Sequence, residues 1–202
     1  TLEPCNLKDN FNSCTNLIIK SGLEQVIMPM LDPNKKTFKR GYKALTNAGV
    51  KVKTIKPTFS NFLINYPHYI SHKQKRPMIT IKLATSADSK ITYKNGESKW
   101  ITSKLARNHV HQLRSFNDAI LVGYNTVEKD NPTLNTRIMG YKDTNYRIIL
   151  DKDLKLNINS NLVNTIKSYP LIIFTKEKYN KSKYKILNKY GAKIIGVSAD
   201  NK

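Results

Sequence analysis

Apolar and polar positions in this chain switch repeatedly between two periods. Short apolar runs at 24–30, 50–55, 78–83, 117–122, 147–150, 170–175 and 192–197 predict strands. Between them, 15–21, 38–48, 57–73, 104–116 and 179–190 predict helices. Gly22, Gly49 and Gly191 stand where three of these helices should stop. Pro57 opens the third, and Pro67 predicts a kink or break inside it. Thr102 or Ser103 should cap the fourth, whose apolar positions Leu105, Val110 and Leu113 leave Arg107 and Arg114 on other sides. Strand and helix alternate across short turns, so the expected class is α/β, a mostly parallel sheet covered by helices.

The charged run His72-Lys-Gln-Lys-Arg76 followed by Pro77 blocks a helix and predicts a domain boundary, giving 1–75 and 76–202. The chain is organised around 76–137. This stretch predicts a buried strand, a polar turn carrying the only Trp, an amphipathic helix, a second buried strand and a polar loop ending in the turn Asp130-Asn-Pro132. Ligands of open α/β sheets sit at the carboxyl ends of strands. Thr85, Ser86 and Asp88 follow the first of these strands; Gly123, Asn125, Thr126 and Asp130 follow the second. Trp100, in a polar turn, is suited to stacking on a ring or lining a pocket. Neither G-x-G-x-x-G nor a P-loop occurs, so the usual dinucleotide fingerprint is absent.

Composition sharpens this picture in three ways. The chain is 39% hydrophobic over 202 residues, enough for a packed core. No apolar run approaches the ~20 residues of a bilayer span, and the first residues hold no apolar signal core. Two cysteines without export features predict a reducing, cytoplasmic compartment. The formal charge of +21 is large, but 29 of the 35 basic residues are Lys, spread along the chain beside many Asn and Ile. That reads as solvated Lys faces with attraction for phosphorylated ligands, more than as a nucleic-acid patch. The scarce Arg residues are more informative, because a guanidinium grips phosphate through two hydrogen bonds. Arg107, Arg114 and Arg137 all fall in the organising stretch.

Thr1-Leu-Glu-Pro-Cys5 with Cys14 presents two thiols as zinc deaminases of nucleobases do, although no His-x-Glu segment accompanies them. The alternative is two buried thiols. His68 and His72, four apart, share a helix face, whereas His109 and His111 point to different faces. No protease-type zinc pattern surrounds them.

Five segments together resemble one family: Thr1-Leu-Glu-Pro-Cys5 with Cys14, Met30-Leu-Asp-Pro-Asn34, Lys82-Leu-Ala-Thr-Ser-Ala-Asp88, Gly96-Glu-Ser-Lys-Trp-Ile-Thr-Ser103, and Asp130-Asn-Pro-Thr-Leu134 with Arg137. The chain resembles the bifunctional deaminase–reductases of riboflavin biosynthesis. The resemblance implies the C-terminal part of a cytidine-deaminase-like domain over 1–75, then most of a dihydrofolate-reductase-like reductase domain over 76–202. It implies two reactions on a phosphoribosyl pyrimidine: zinc-dependent deamination, then reduction of the ribosyl to a ribityl chain with NADPH. It places zinc thiolates on Cys5 and Cys14. Nicotinamide-cofactor contacts fall on Ala84, Trp100, Thr126 and Asp130, and phosphosugar-substrate contacts on Ser98, Arg114, Leu134 and Arg137. It further implies pairing of copies through the reductase domain, with no nucleic-acid or membrane partner.

The sequence also departs from the family. Asn6-Leu7 stand for the usual Ser-His after the first zinc Cys, Ala87-Asp88-Ser89 for Leu-Asp-Gly, and Lys152 for a frequent Ser. The deaminase His and Glu would lie upstream and the Gly-rich cofactor loop beyond Lys202, so an internal piece of a longer bifunctional protein is expected. The rival expectations are a degenerate copy that keeps reductase activity only, and a basic nucleic-acid binder without catalysis.

Overall fold

The computed structural model describes residues 2–7, 13–94, 100–140 and 145–198. The chain forms two compact units, Thr1–Lys82 and Leu83–Lys202.

In the first unit, β1 (Gln25–Met28) and β2 (Lys51–Thr54) pair in parallel, joined through α2 (Arg40–Asn47). α1 (Cys14–Lys20) precedes β1, and its N-cap Ser13 accepts from the Asn16 amide. α2 has no capping side chain of its own. The buried carboxylate of Glu3 serves instead, accepting from the Lys39 and Tyr42 amides and from the Asp32 amide, each at 3.0 Å. An anion there satisfies orphan donors and complements the helix dipole. The approach is close enough that a Cβ on Gly41 would stand 1.9 Å from the Pro4 carbonyl oxygen, so this position requires glycine. α3 (Phe59–Gln74) opens with a Thr58–Asn61 capping box and runs on through Pro67. The expected interruption does not occur; Pro67 lacks an N–H but the turns on either side remain helical.

The second unit is a four-stranded parallel sheet in sequence order: β3 (Ala119–Gly123), β4 (Tyr146–Leu150), β5 (Leu171–Lys176) and β6 (Lys193–Val197). α4 (Lys104–Ser115) precedes it, capped by Ser103. Three helices connect the strands: α5 (Tyr124–Asp130), α6 (Asn161–Asn164) and α7 (Lys181–Tyr190). Neighbouring parallel strands joined by right-handed crossovers put every connection on one face. The core agrees: Val127 of α5, Leu162 and Val163 of α6, and Leu187 of α7 pack with Ile149, Leu171 and Ile173. On the other face Leu121, Leu150 and Val197 remain about half exposed.

Two expectations are corrected, and one helix is added. Residues 78–83 are not a strand; they run without regular structure, with Ile79, Ile81 and Leu83 more than 70% exposed. A strand needs a ladder partner, and none is formed here. The polar loop expected after β3 is the helix α5, ended by Asn131 in the left-handed conformation at φ 41. α6 is an additional helix. The largest fully buried side chain is Arg147. It donates to the Thr133, Leu162 and Tyr169 carbonyls and to the Thr165 hydroxyl, at 2.5–3.1 Å.

Candidate functional site

The carboxyl ends of β3 and β4 open into a cleft of two lobes. One lobe, about 460 Å³, is lined by Gly123, Tyr124, Asn125, Glu128 and residues 150–153 with Lys155. The other, about 390 Å³, shares Tyr124, Glu128 and Lys155 and extends to Asn131, Asn157, Ser160 and Lys183. Tyr124, Val127, Glu128 and Asn131 recur at helical spacing, so one face of α5 forms the shared wall. Gly123 leads into α5 with extended backbone, and a Cβ there would meet only open space. Bare backbone at a strand end is where a polar ligand approaches closely.

Sequence reasoning missed these lining residues apart from Gly123 and Asn125. The lysines that flank the end of β4, Lys152 and Lys155, were the available signal. The Tyr124 hydroxyl donates to Glu128 at 2.9 Å, and the carboxylate raises the phenol's pKa. Asp153, bonded by the Lys176 ammonium at 2.7 Å, has its pKa lowered.

A second cluster lies between α4 and the 131–137 loop. The Arg114 guanidinium donates to the Asn135 carbonyl at 2.7 Å, and Arg137 donates to the Asn135 side chain at 2.8 Å. The Arg137 amide donates to His111 Nδ1 at 3.2 Å. Burial, then the charges of Arg137 and Arg114, lower the His111 pKa. A neutral imidazole can accept that amide proton, so the geometry and the charge agree. Two of six arginines thus meet at one loop, a cationic locus suited to an anionic group.

The remaining expected residues separate. Thr126 is exposed and Asp130 half-buried on α5, and Ala84 is half-buried. Trp100 is 63% exposed, with the Arg107 guanidinium 4.2 Å from its ring centre. One ring face is therefore occupied by a cation–π contact. Leu134 is buried in the core at φ 55, so its side chain is spent on packing. Ser98 lies outside the described residues.

In the first unit Cys5 is half-buried and accepts from the Leu7 amide at 3.3 Å, while Cys14 is exposed. Neither thiol has the buried setting of the alternative reading. Among the described residues no group of three or more His, Cys, Asp and Glu could hold a metal ion. The His68 and His72 rings do meet, edge to face with centres 4.5 Å apart, but His68 is bonded to Asp32 at 2.9 Å. Burial raises the Asp32 pKa; hydrogen bonds from Thr37, His68 and Asn34 outweigh that and lower it. No described helix is long and apolar enough to cross a membrane.

Residues 77–200 match the family described as the RibD C-terminal domain. The chain is 38% identical over 182 residues to the riboflavin biosynthesis protein RibD of Aquifex aeolicus, covering 90% of this chain and 51% of that protein. It is 34% identical over 202 residues to RibD of Bacillus amyloliquefaciens, covering 99% and 54%. A solved structure from Thermotoga maritima, a diaminohydroxyphosphoribosylaminopyrimidine deaminase/5-amino-6-(5-phosphoribosylamino)uracil reductase, has a TM-score of 0.79 at 31% identity, over 97% of this chain and 60% of that one. Acinetobacter baumannii RibD has a TM-score of 0.84 at 24% identity, over 99% and 55%, a likeness of fold. The chain spans about half the length of the curated relatives it matches.

Proposed function

This chain belongs to the RibD C-terminal domain family, and we propose that its second unit works as the reductase of riboflavin biosynthesis. The observation that carries the reading is the pair Arg114 and Arg137 at one loop beside neutral His111, inside the family-matched region. A phosphoribosyl pyrimidine brings a phosphate, and a planar fork holds it in a fixed orientation. Arg137 is the exposed member, its guanidinium bonded to the Asn135 side chain rather than to backbone. Arg114 contributes differently, since its bond to the Asn135 carbonyl fixes the loop.

The chain's own residues fit a reduced nicotinamide cofactor: the cleft at the ends of β3 and β4 is polar and open, and Gly123 leaves room against the backbone. The contacts expected at Thr126, Asp130, Trp100 and Ala84 rest on the family resemblance alone, since none of the four lines this cleft. When bound, NADPH supplies the hydride that converts the ribosyl to the ribityl chain. Trp100, stiffened by Arg107, would present its free face as a flat wall. The protein's contribution is positioning, holding the sugar carbon against the donor.

Zinc is a different matter. Cys5 and Cys14 supply half of a tetrahedral site, and Asn6 and Leu7 follow the first thiol. These residues alone do not fit a metal centre. The reductase-only alternative expected from sequence is therefore the reading carried forward.

The test separates substrate from cofactor. Arg137→Ala should raise KM for the phosphoribosyl substrate at least about tenfold, the value of a charged hydrogen bond. NADPH affinity, followed by nicotinamide fluorescence, should stay unchanged. Equal loss of both affinities would contradict the assignment of Arg137 to the substrate.

A further inference from the structure

Three successive residues of the 131–137 loop are tied down beside α4, each by a different group. The Asn135 carbonyl accepts from the Arg114 guanidinium at 2.7 Å. The buried Thr136 hydroxyl donates to the Asn145 side chain at 3.3 Å. That side chain donates in turn to the Arg114 carbonyl at 3.0 Å and to the Asn117 carbonyl. The Arg137 amide donates to His111 Nδ1 at 3.2 Å. The first two ties rest on a guanidinium and on neutral groups, whose charge is fixed across the ordinary pH range. The third alone depends on a ring that titrates near neutral pH.

The tie at His111 exists in one protonation state. With the proton on Nε2, neutral imidazole leaves Nδ1 an acceptor; imidazolium would turn a second donor toward the Arg137 amide. Among the described residues, the charges acting on the ring are Arg137 from the loop and Arg114 from α4, both positive. Arg107, one turn earlier on α4, is turned to the Thr102 carbonyl and the Trp100 ring. Burial and the two cations lower the His111 pKa from 6.5. The tie is therefore present above that ordinary value and is lost as pH falls through the lower folded one.

This bond lies at the surface, between a half-buried ring and an exposed residue. Water can replace either partner, so its loss costs little stability. What it fixes is the place of the Arg137 backbone, at the end of the held run. The guanidinium is steadied only by the Asn135 side chain, which itself donates to the Tyr169 hydroxyl at 3.4 Å. A planar fork grips phosphate from one direction, so an arginine whose backbone swings holds an anion less well.

We infer that His111 is a positioning residue: in its neutral form it holds the Arg137 backbone so that the guanidinium meets the substrate's phosphate, and its protonation releases that hold. The inference rests on the reductase reading, which gives Arg137 a substrate phosphate to meet.

The test uses the protein with His111→Leu, which removes the acceptor, and His111→Asn, whose side-chain oxygen falls near the place of Nδ1 and does not titrate. Thermal melts confirm that each variant folds. Rates of NADPH oxidation give kcat and KM for the phosphoribosyl substrate between about pH 5 and 8. Calorimetry follows binding of ribose 5-phosphate over the same range. At about pH 8, His111→Leu should raise KM roughly three- to tenfold, the range of one neutral hydrogen bond. Its kcat should stay within about twofold of the parent, as for lost uniform binding. His111→Asn should recover most of the loss. The parent KM should climb as acid protonates His111. The substrate phosphate titrates near pH 6 as well, so the readout is the step present in the parent and missing in His111→Asn. In an Arg137→Ala background, His111→Leu should add nothing further. An unchanged KM in His111→Leu, one shared pH profile for the parent and His111→Asn, or additive effects of the two sites would each overturn the inference. If the parent oxidises no NADPH, the reductase reading fails and ribose 5-phosphate decides alone. The same pattern of affinities there keeps the role of His111, and a flat one ends it.

Discussion

The two units hold themselves together by different means. The second has a continuous apolar core drawn from four strands and three helices, with Ile149, Ile173, Leu162 and Leu187 wholly buried. The first has a two-stranded sheet and few fully buried apolar side chains, chiefly Met28, Leu45 and Ile70. It is bracketed instead by carboxylates: Glu3 binds three backbone amides, and Asp32 binds Thr37, His68 and the Asn34 amide. Apolar burial is indifferent to pH, whereas the contribution of Asp32, whose pKa is lowered, is not. The first unit should therefore lose stability as acid protonates Asp32.

The largest effect should come from the exception in the apolar unit. Arg147→Met keeps an unbranched apolar stem but strips four acceptors of a buried donor. Each unsatisfied group is costly, so a loss of about 3–4 kcal/mol is expected. At a sensitivity of about 2–4 °C per kcal/mol, melting of the second unit should fall by roughly 10 °C. A variant that melts within about 2 °C of the parent would mean that those carbonyls find other partners.

A smaller effect is expected in the first unit. The folded Asp32 pKa lies below its ordinary value of 3.8. Its contribution is therefore present above about pH 3.8 and is lost as pH falls through the lower folded value. Asp32→Asn should reduce stability by about 1 kcal/mol at pH 6 and flatten the dependence of stability on pH below 4. Urea melts of parent and variant between pH 3 and 6 provide the check. Parallel pH curves would show that acid acts elsewhere.

These contrasts explain what the sequence could and could not disclose. Helices with caps and one apolar stripe were legible: Ser103 starts α4 and Gly191 ends α7. Parallel pairing followed from strand–helix alternation. α5 was not legible, because Tyr-Asn-Thr-Val-Glu-Lys-Asp buries only Val127 and shows no apolar period. Residues 78–83 read as a strand from side chains alone, but strand formation depends on a neighbouring ladder.

Arginine scarcity singled out Arg114 and Arg137, and the structure brings both to Asn135. It could not show that Arg147 is spent on backbone carbonyls, since that depends on residues up to 22 positions away. Of the smaller cleft lobe only the lysine after β4 was legible, because Lys155, Ser160 and Lys183 converge only in three dimensions.

The central claim is that the second unit reduces a phosphoribosyl pyrimidine. The most direct measurement mixes the protein with NADPH and the deaminated ribosylaminouracil phosphate and follows loss of reduced-nicotinamide absorbance. Oxidation that requires the substrate, yielding the ribityl product in equal amount, is the predicted result. Folded protein that binds NADPH yet shows no substrate-dependent oxidation would contradict it.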